Sequence, residues 1–254
     1  MKQHKRVVIK VGTKVITSGD GMLNKRRLKA LVNQMSCIKS KGLDVILVTS
    51  GAIGTGMGLL GLKKRPVKLN ELQATAAIGQ SHLMHFYSKY FHMKGYRVGQ
   101  ILLTREDFND RKRCSNIKST IEALLKHKVL PIINENDTVS TEEIKFGDND
   151  RLAGLVTELC GADKLVLLTD VEGLLDKDCR VISVIDKITP GILKLGTSSK
   201  CELGIGGMTT KLLSAKGVTE SGVECVIANG KSKDVLIKIM SGKKVGSTFR
   251  AVKR

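Results

Sequence analysis

Two lysines, Lys10 and Lys211, have sequence surroundings that indicate phosphoryl chemistry. Lys10 lies inside the apolar run RVVIKVG (6–12), where a charged side chain is costly unless it reaches solvent or meets an anion. Lys211 ends the segment GIGGMTTK (204–211), whose paired glycines and hydroxyls at a predicted helix start suit a phosphate group. Together the lysines would present two positive charges to a transferring phosphoryl group. A surface edge position for Lys10 and a structural glycine turn are the alternatives.

An acidic segment, INENDTVSTEEIKFGDND, runs from Ile133 to Asp150 and contains six carboxylates and three asparagines in 18 residues. It follows a predicted buried strand, so it indicates a polar ligand site at a strand end. Such an abundance of carboxylates first suggests metal binding or acid–base catalysis. For Asp148 and Asp150 the structural alternative is an Asx-rich turn that caps the next helix.

A second glycine-rich stretch, SGAIGTGMGLLG (50–61), follows another predicted strand. Its small residues would let backbone N–H groups approach an anion, with the start of a helix adding partial positive charge. The formal GxGxxG at Gly56, Gly58 and Gly61 is a weak dinucleotide signal, because the strand ends about six residues earlier. No GxxxxGK[ST] motif occurs in the chain. A turn without a ligand is the alternative here.

Alternating strand and helix patterns must position these segments. The near-continuous apolar runs predict strands at 6–12, 44–50, 97–104, 129–135, 164–170 and 223–229. Helical periodicity predicts helices at about 24–41, 69–91, 115–127, 149–160 and 209–221. The alternation predicts an α/β fold, a three-layer αβα sandwich with a mainly parallel central sheet, in one domain spanning 1–254.

Ligands of such folds bind at the carboxyl ends of the strands. Polar or glycine-rich residues follow four of the predicted strands: Gly12 to Lys14, Ser50 to Gly54, the acidic segment, and Thr169 with Asp170. We expect these ends to line one cleft. Asp170 could bind a nucleotide there or only cap a loop.

The charge of the chain is high and uneven. The net charge is +19, yet residues 1–70 carry 15 Lys/Arg against 2 Asp/Glu, and residues 135–176 carry 3 against 11. The basic excess indicates attraction of nucleic acid or of an anionic small molecule such as a nucleotide, or else a solvated lysine-rich surface. Aromatic residues make up only 3% of the chain and Trp is absent, which argues against a base-stacking platform for single strands.

The cysteines and histidines give no metal or redox motif. The six cysteines are too far apart for a CxxC pair, and we expect free thiols in a reducing cytosol. His82, His85 and His92 lie on a predicted helix without an HExxH pattern, and Cys114 has no evident catalytic base. No signal peptide or membrane-spanning run is visible, so a cytoplasmic location is predicted.

Eight segments together resemble one family. They are KVGTK (10–14), VTSGAIGTGMGLLG (48–61), ELQATAAIGQ (71–80), LLTREDF (102–108), PIINENDTV (131–139), EIKFGDND (143–150), LLTDVEGL (167–174) and GIGGMTTK (204–211). In this order they closely resemble the glutamate 5-kinases of the amino acid kinase family, over essentially the whole chain. The resemblance implies an acetylglutamate kinase-like fold and ATP-dependent phosphorylation of the γ-carboxylate of L-glutamate, the first step of proline biosynthesis.

The resemblance also implies roles for individual residues. Lys10 and Lys211 would contact the phosphates, and Asp150 would orient both lysines. The residues implied for L-glutamate are Ser50, Gly51, Ala52, Asp137 and Asn149. Those implied for ATP are Lys10, Gly12, Thr169, Asp170, Ile205, Gly206, Gly207, Met208, Thr209, Thr210 and Lys211. Mg²⁺ would accompany ATP, and no metal site made of protein ligands is expected.

Elementary chemistry agrees with these roles. A carboxylate is already a nucleophile at pH 7, so the reaction needs alignment and charge neutralisation rather than a general base. Asp137 suits the α-ammonium of an amino acid, while the Asn149 amide and backbone amides can receive a carboxylate without repulsion.

The resemblance also implies partners for the protein, and two alternative functions stand beside it. Many relatives continue into a small domain that resembles RNA-binding PUA modules, whereas this sequence ends at Arg254 without one. The resemblance implies a homo-oligomer, a dimer or tetramer, with L-proline as feedback inhibitor, and no membrane partner. One alternative is a sibling kinase acting on N-acetylglutamate, aspartate, carbamate or UMP. Another is a basic nucleic-acid-binding or regulatory protein without catalysis. The presence of all the expected phosphate-binding residues argues against this alternative.

Overall fold

The computed structural model describes residues 6–19, 21–140, 148–197 and 207–252. The strands in this part are β1 (Arg6–Val11), β2 (Asp44–Thr49), β3 (Val98–Leu103), β4 (Leu130–Glu135), β5 (Lys164–Thr169), β6 (Val184–Ile185), β7 (Glu224–Asn229) and β8 (Ser247–Phe249). The helices are α1 (Thr13–Ile16), α2 (Lys25–Ser40), α3 (Ala52–Leu60), α4 (Leu69–His92), α5 (Arg111–Lys126), α6 (Asp148–Leu159), α7 (Pro190–Leu195), α8 (Gly207–Glu220) and α9 (Val235–Met240). All six predicted strands and all five predicted helices are present.

The strands form one sheet in the order β3-β4-β2-β1-β5-β7-β8-β6. The six strands from β3 to β7 are parallel, and β1 lies among them, paired with β2 on one side and β5 on the other. Only the short β8 runs antiparallel to its neighbour β7, with β6 beside it at the edge. The prediction of a mainly parallel sheet is confirmed. The two short strands were missed because two or three residues show no periodicity.

Strand alternation divides the apolar residues between the two faces of the sheet. Val7, Ile9 and Val11 belong to the core that includes side chains of α2, α4 and α9. Val8 belongs to the opposite core, with side chains of α5, α6 and α8. Because successive residues of a strand point to opposite faces, Lys10 shares the face of Val8. The sandwich therefore has three layers, and Lys10 points toward the layer that contains α6 and α8.

Helix α2 is capped at its start by a side chain. The side chain of Asn24 accepts a hydrogen bond from the backbone N–H of Arg27 at 3.0 Å, which caps the first turn. Gly42 follows the last turn with a φ of +86°, a conformation that glycine adopts at little cost. A side-chain hydrogen bond thus fixes the start of this helix, and a glycine backbone conformation follows its end.

The glycine-rich stretch after β2 contains a helix that was not among the five predicted ones. It forms helix α3, and Gly56, Gly58 and Gly61 are not a phosphate loop. A Cβ atom at Gly56 would overlap the carbonyl oxygen of Thr75 on α4, and one at Gly79 would overlap the carbonyl oxygen of Ala52. These glycines therefore let two helix backbones meet at very short distance. Tertiary packing here overrides the poor helix propensity of glycine.

We predict that Gly56→Ala lowers the free energy of unfolding by roughly 1–3 kcal/mol or more, since the added methyl group overlaps the backbone of α4. Gly154→Ala is the matched control inside α6, because its Cβ would find its nearest neighbours at 3.8 Å. That variant should gain about 0.5–1 kcal/mol from helix propensity. Urea unfolding of both variants gives the comparison. Equal effects of the two substitutions would contradict the close α3–α4 contact.

Candidate active site

A cavity of about 1050 Å³ opens at the carboxyl ends of the central parallel strands. This is the edge at which the sequence predicted a cleft. The predicted site residues that line the cavity are Lys10, Gly12, Ser50, Gly51, Ala52, Asp137, Asn149, Asp150, Thr169, Asp170, Gly207, Met208 and Lys211. Residues separated by up to 201 positions in the chain thus line one cavity.

Two lysines that line this cavity meet on one carboxylate. The Nζ of Lys10 lies 2.6 Å from Oδ1 of Asp150, and the Nζ of Lys211 lies 3.0 Å from Oδ2 of the same side chain. Asp150 is 0% exposed, Lys10 5% and Lys211 8%. The Nζ of Lys211 also donates to the carbonyl oxygen of Gly207 at 2.9 Å. The three side chains carry one net positive charge in a largely water-excluded site.

The ion pairs and the burial act against each other on the pKa values. Burial alone would raise the pKa of Asp150, but the attraction of Lys10 and Lys211 outweighs it and keeps that pKa below the ordinary value. Burial lowers the pKa of Lys10, and the attraction of Asp150 offsets only part of this effect. Asp150 is therefore a stable anion, and it is not available as a general acid or base.

In the first turn of α8, only some of the residues expected to bind ATP line the cavity. The hydroxyl of Thr210 donates to Oδ2 of Asp150 at 3.0 Å, so Thr210 steadies the carboxylate rather than lining the cavity. The hydroxyl of Thr209 donates to the carbonyl oxygen of Gly196 at 3.3 Å, away from the cavity. Ile205 and Gly206 lie outside the described residues.

The start of α3 borders another part of the cavity. Gly51 precedes this helix with a φ of +103°, which favours glycine, and Gly51 and Ala52 both line the cavity beside Ser50. The first N–H groups of a helix have no partner within it, and they carry partial positive charge. This end of α3 can therefore receive a carboxylate. The sequence predicted such a role for the residues at the strand end. The glycines further along the helix do not take this role.

Amide side chains connect Ser50 to α6. The Nδ2 of Asn149 donates to the hydroxyl oxygen of Ser50 and to Oδ1 of Asn134, both at 3.0 Å. Asn134 in turn donates to Oε1 of Gln80 at 2.7 Å. Both hydrogens of the Asn149 amide are thus engaged within the protein, which differs from our expectation that they would receive a substrate carboxylate. Gln80 was not among the predicted site residues.

A further charged pair lies at the end of β5. The Nζ of Lys14 is 3.4 Å from Oδ2 of Asp170, and the hydroxyl of Thr169 donates to Oδ1 of Asp170 at 3.3 Å. Burial raises the pKa of Asp170, but Lys14, a backbone hydrogen bond and Lys231 together outweigh the burial and lower that pKa overall. Lys14 was not among the predicted site residues. It lies in the KVGTK segment, and its position just after a strand end is the sequence signal that could have identified it.

The cysteines are not all free. Cys179 is disulfide-bonded, which corrects our expectation of free thiols, while Cys37, Cys114, Cys160 and Cys225 are free. In the part of the chain that the structure describes, no three side chains of the metal-ligating types come together. Among the described helices, none is long and apolar enough to span a bilayer.

Residues 5–229 match the model of the amino acid kinase family. This chain belongs to the amino acid kinase family. It is 49% identical to the glutamate 5-kinase of Caldanaerobacter subterraneus subsp. tengcongensis, over 98% of this chain and 68% of the relative. It is 44% identical to the glutamate 5-kinase of Clostridium tetani, over 100% of this chain and 97% of the relative.

A solved structure shares the fold of this amino acid kinase. The UMP kinase of Bacillus anthracis superposes with a TM-score of 0.65 over 99% of this chain and 98% of its own. The sequence identity of this pair is 13%, so the likeness concerns the fold alone.

We predict that Asp150→Asn costs roughly 3–5 kcal/mol of stability at pH 7, because two buried lysines lose their counter-charge. Lys10 has a lowered pKa when folded, so it binds fewer protons in the folded state and stability rises with pH up to the unfolded lysine pKa. Without Asp150 that pKa falls further, so the deficit of the variant should shrink between pH 7 and 9.5. Denaturant unfolding at both pH values measures it.

The control for this prediction is Asp186→Asn, which removes an exposed ion pair with Arg250. Exposed pairs contribute about 0–1 kcal/mol, so this variant should stay close to the original protein at both pH values. A deficit of Asp150→Asn that is constant with pH would show that the stability of the cluster does not depend on the charge of Lys10.

Proposed function

We propose that this protein catalyses the ATP-dependent phosphorylation of the γ-carboxylate of L-glutamate, giving L-glutamyl 5-phosphate, the first step of proline biosynthesis. The observation that carries the proposal is the pair of buried lysines on Asp150 at the base of a cavity with a polar amide and hydroxyl end. The names of relatives that are 40–49% identical over nearly the whole chain support the choice of acceptor.

The two lysines carry out the electrostatic part of the reaction. In phosphoryl transfer, charge spreads over the oxygens of the γ-phosphoryl group while the attacking and leaving oxygens lie in line. Lys10 and Lys211 contact this group from two sides and stabilise the charge. Asp150 holds both ammonium groups at fixed positions, so they need little reorganisation during the reaction.

The acceptor needs no activation by a base. The γ-carboxylate is ionised at pH 7 and attacks phosphorus directly, and ADP leaves as an anion. Asp150 lies within ion-pair distance of two lysines and has a lowered pKa, so it serves as an orienting residue. The rate then depends on alignment of the two substrates.

L-glutamate occupies the end of the cavity formed by Ser50, Gly51, Ala52, Asp137 and Asn149. The N-terminal turn of α3 and the hydroxyl of Ser50 suit the α-carboxylate. The carboxylate of Asp137 suits the α-ammonium. These opposite preferences orient the amino acid with its γ-carboxylate toward the lysines.

ATP occupies the other end of the cavity, with Gly12, Thr169, Asp170, Gly207, Met208 and Lys211 around it. Thr209 and Thr210 do not line the cavity, since their hydroxyls donate to the carbonyl oxygen of Gly196 and to Asp150. Mg²⁺ would be held mainly by the phosphate oxygens of ATP and by water, which this ion prefers to an all-protein site, and it would supply neutralisation of charge on the phosphates. The carboxylate of Asp150 is already engaged by lysines, so it fits an orienting role better than a metal-ligating one.

The resemblance extends the proposal to regulation and assembly. L-proline, which shares the α-carboxylate of glutamate, inhibits the enzyme by competing for the glutamate end. The protein assembles as a homo-oligomer, a dimer or tetramer, in the cytoplasm. Exposed apolar side chains around the α3–α4 connection support an interface there, since Leu60 is 49% and Val67 92% exposed.

The test of the proposed function is an acceptor panel. ADP release is measured with L-glutamate, N-acetylglutamate, L-aspartate, carbamate and UMP at fixed Mg-ATP. We expect L-glutamate to have the highest kcat/KM. Preference for any of the other acceptors would overturn the proposal, and binding of RNA without turnover of any acceptor would favour the alternative of a non-catalytic protein.

We predict that Lys10→Ala and Lys211→Ala each lower kcat about 100-fold or more, because each removes a charge that contacts the transferring phosphoryl group. Lys126→Ala is the control, since this lysine is exposed on α5 and does not line the cavity. Steady-state rates with circular dichroism spectra of each variant give the answer. Near-normal turnover of a folded lysine variant would remove that lysine from the mechanism.

A further inference from the structure

The turn at 136–140, which follows β4, has no hydrophobic anchor. It carries Asp137, which lines the cavity, yet none of its residues is buried. Its one apolar side chain, Val139, is 60% exposed. A segment with few buried apolar contacts has low local stability and is held by its hydrogen bonds. The position of Asp137 therefore depends on the hydrogen bonds that the turn makes with its neighbours.

Hydrogen bonds fix this turn at its two ends. At the start, the backbone N–H of Asn136 donates to the carbonyl oxygen of Leu103 on β3 at 2.8 Å. The carbonyl oxygen of Asn136 accepts from the backbone N–H groups of Val139 and Ser140, at 3.2 and 3.1 Å. At the other end, Nε2 of Gln73 on α4 donates to the carbonyl oxygen of Ser140 at 3.2 Å. The turn is thus tied to the sheet on one side and to a helix on the other.

The orientation of the Gln73 amide follows from its partner. A carbonyl oxygen only accepts, so the nitrogen of the side chain, and not its oxygen, must point to Ser140. Gln73 is half-buried, and it is not among the described residues that line the cavity. It therefore acts on the turn and does not contact a ligand.

Helix α4 gives Gln73 a fixed base. A Cβ at Gly56 of α3 would overlap the carbonyl oxygen of Thr75, so the two helix backbones are in close contact just after Gln73. Leu72, which precedes Gln73, packs against the cluster that includes Ala52 at the start of α3. Gln73 therefore connects the turn of Asp137 to the pair of helices that borders the proposed glutamate end.

This connection sets a distance that matters for an amino acid. The α-ammonium and the α-carboxylate are bonded to the same carbon atom, so a site that binds both needs its two receiving groups at one separation. The proposed function places the ammonium on Asp137 and the α-carboxylate at the start of α3. A displaced turn would remove the partner of the ammonium and leave that of the carboxylate in place.

We propose that Gln73 is a positioning residue, which holds the turn at 136–140 to α4 and so keeps Asp137 at the distance from the start of α3 that an α-amino acid requires. The inference rests on the proposed glutamate kinase activity and deepens it, because it names a residue that sets selectivity for the α-ammonium group. Gln73 acts on binding of the acceptor and leaves phosphoryl transfer to Lys10 and Lys211.

The experiment compares L-glutamate with glutarate, which has the same two carboxylates and lacks the ammonium group. Gln73→Met keeps the length of the side chain and removes the donor, so Asp137 is in place for a smaller fraction of the time and the apparent affinity falls by that fraction. We expect kcat/KM for glutamate to fall about five- to tenfold, the size of one neutral hydrogen bond. The values of kcat, KM for ATP and Ki for glutarate as a competitor should change less than about threefold.

A double-mutant cycle shows whether Gln73 acts through Asp137. In Asp137→Ala the ammonium has already lost its partner, so adding Gln73→Met should change kcat/KM for glutamate less than about twofold. Gln73→Ala also removes the donor and favours the helix, and it replaces Gln73→Met if that variant does not fold. Ser88→Ala, at an exposed position of the same helix, is the control and should leave every constant unchanged.

The outcomes separate the inference from the proposed function. A loss that is selective for glutamate and disappears in the Asp137→Ala background supports the positioning role of Gln73. Equal losses for glutamate and glutarate, an unchanged kcat/KM for glutamate, or the same loss with and without Asp137 would overturn it, while the glutamate kinase proposal stands. Failure of the unchanged protein to phosphorylate glutamate would remove the proposed function itself, and the inference with it.

Discussion

The contact of Lys10 and Lys211 with Asp150 is the constraint on which the site depends. It joins β1, α6 and α8, three elements that are distant in the sequence. A lysine within a central parallel strand is tolerated only because an opposite charge lies directly above it. Removing Asp150 would leave two positive charges uncompensated in the interior, whereas removing one lysine would leave a neutral pair. The same contact thus stabilises the junction of two helices with the sheet and fixes the positions of the charges that phosphoryl transfer requires.

The sheet explains why this cluster can form. Alternation along β1 directs Val7, Ile9 and Val11 to one layer and Val8 with Lys10 to the other. That second layer contains the start of α6 and the first turns of α8, at the carboxyl edge of the strands. Two helix starts with partial positive charge then flank an anion-binding space. The fold supplies the geometry, and a few side chains supply the chemistry.

Sequence reasoning succeeded where local patterns carry the information. Apolar runs predicted the strands of the parallel sheet, and helical periodicity predicted α2 at 24–41, close to its observed range Lys25–Ser40. The pairing of Lys10 with Asp150 spans 140 residues, so only the family resemblance indicated it. Helix α3 was not predicted, because its glycines serve the close approach of α4, and that contact leaves no local signal. Gln80 was missed for the same reason, as its partner lies 54 residues away on a strand.

The two ends of the cavity recognise charge in different ways. At the phosphate end, mobile ammonium groups are immobilised by a carboxylate, which suits a group whose charge increases during the reaction. At the other end, neutral amide side chains are oriented one after another, starting from the backbone N–H of Glu135, and they add no charge beside the lysines. Their hydrogen bonds hold Ser50, Asn134 and Asn149 at fixed positions relative to one another. The charge at the phosphate end is therefore set by the two lysines and Asp150, while the other end is ordered by a neutral network.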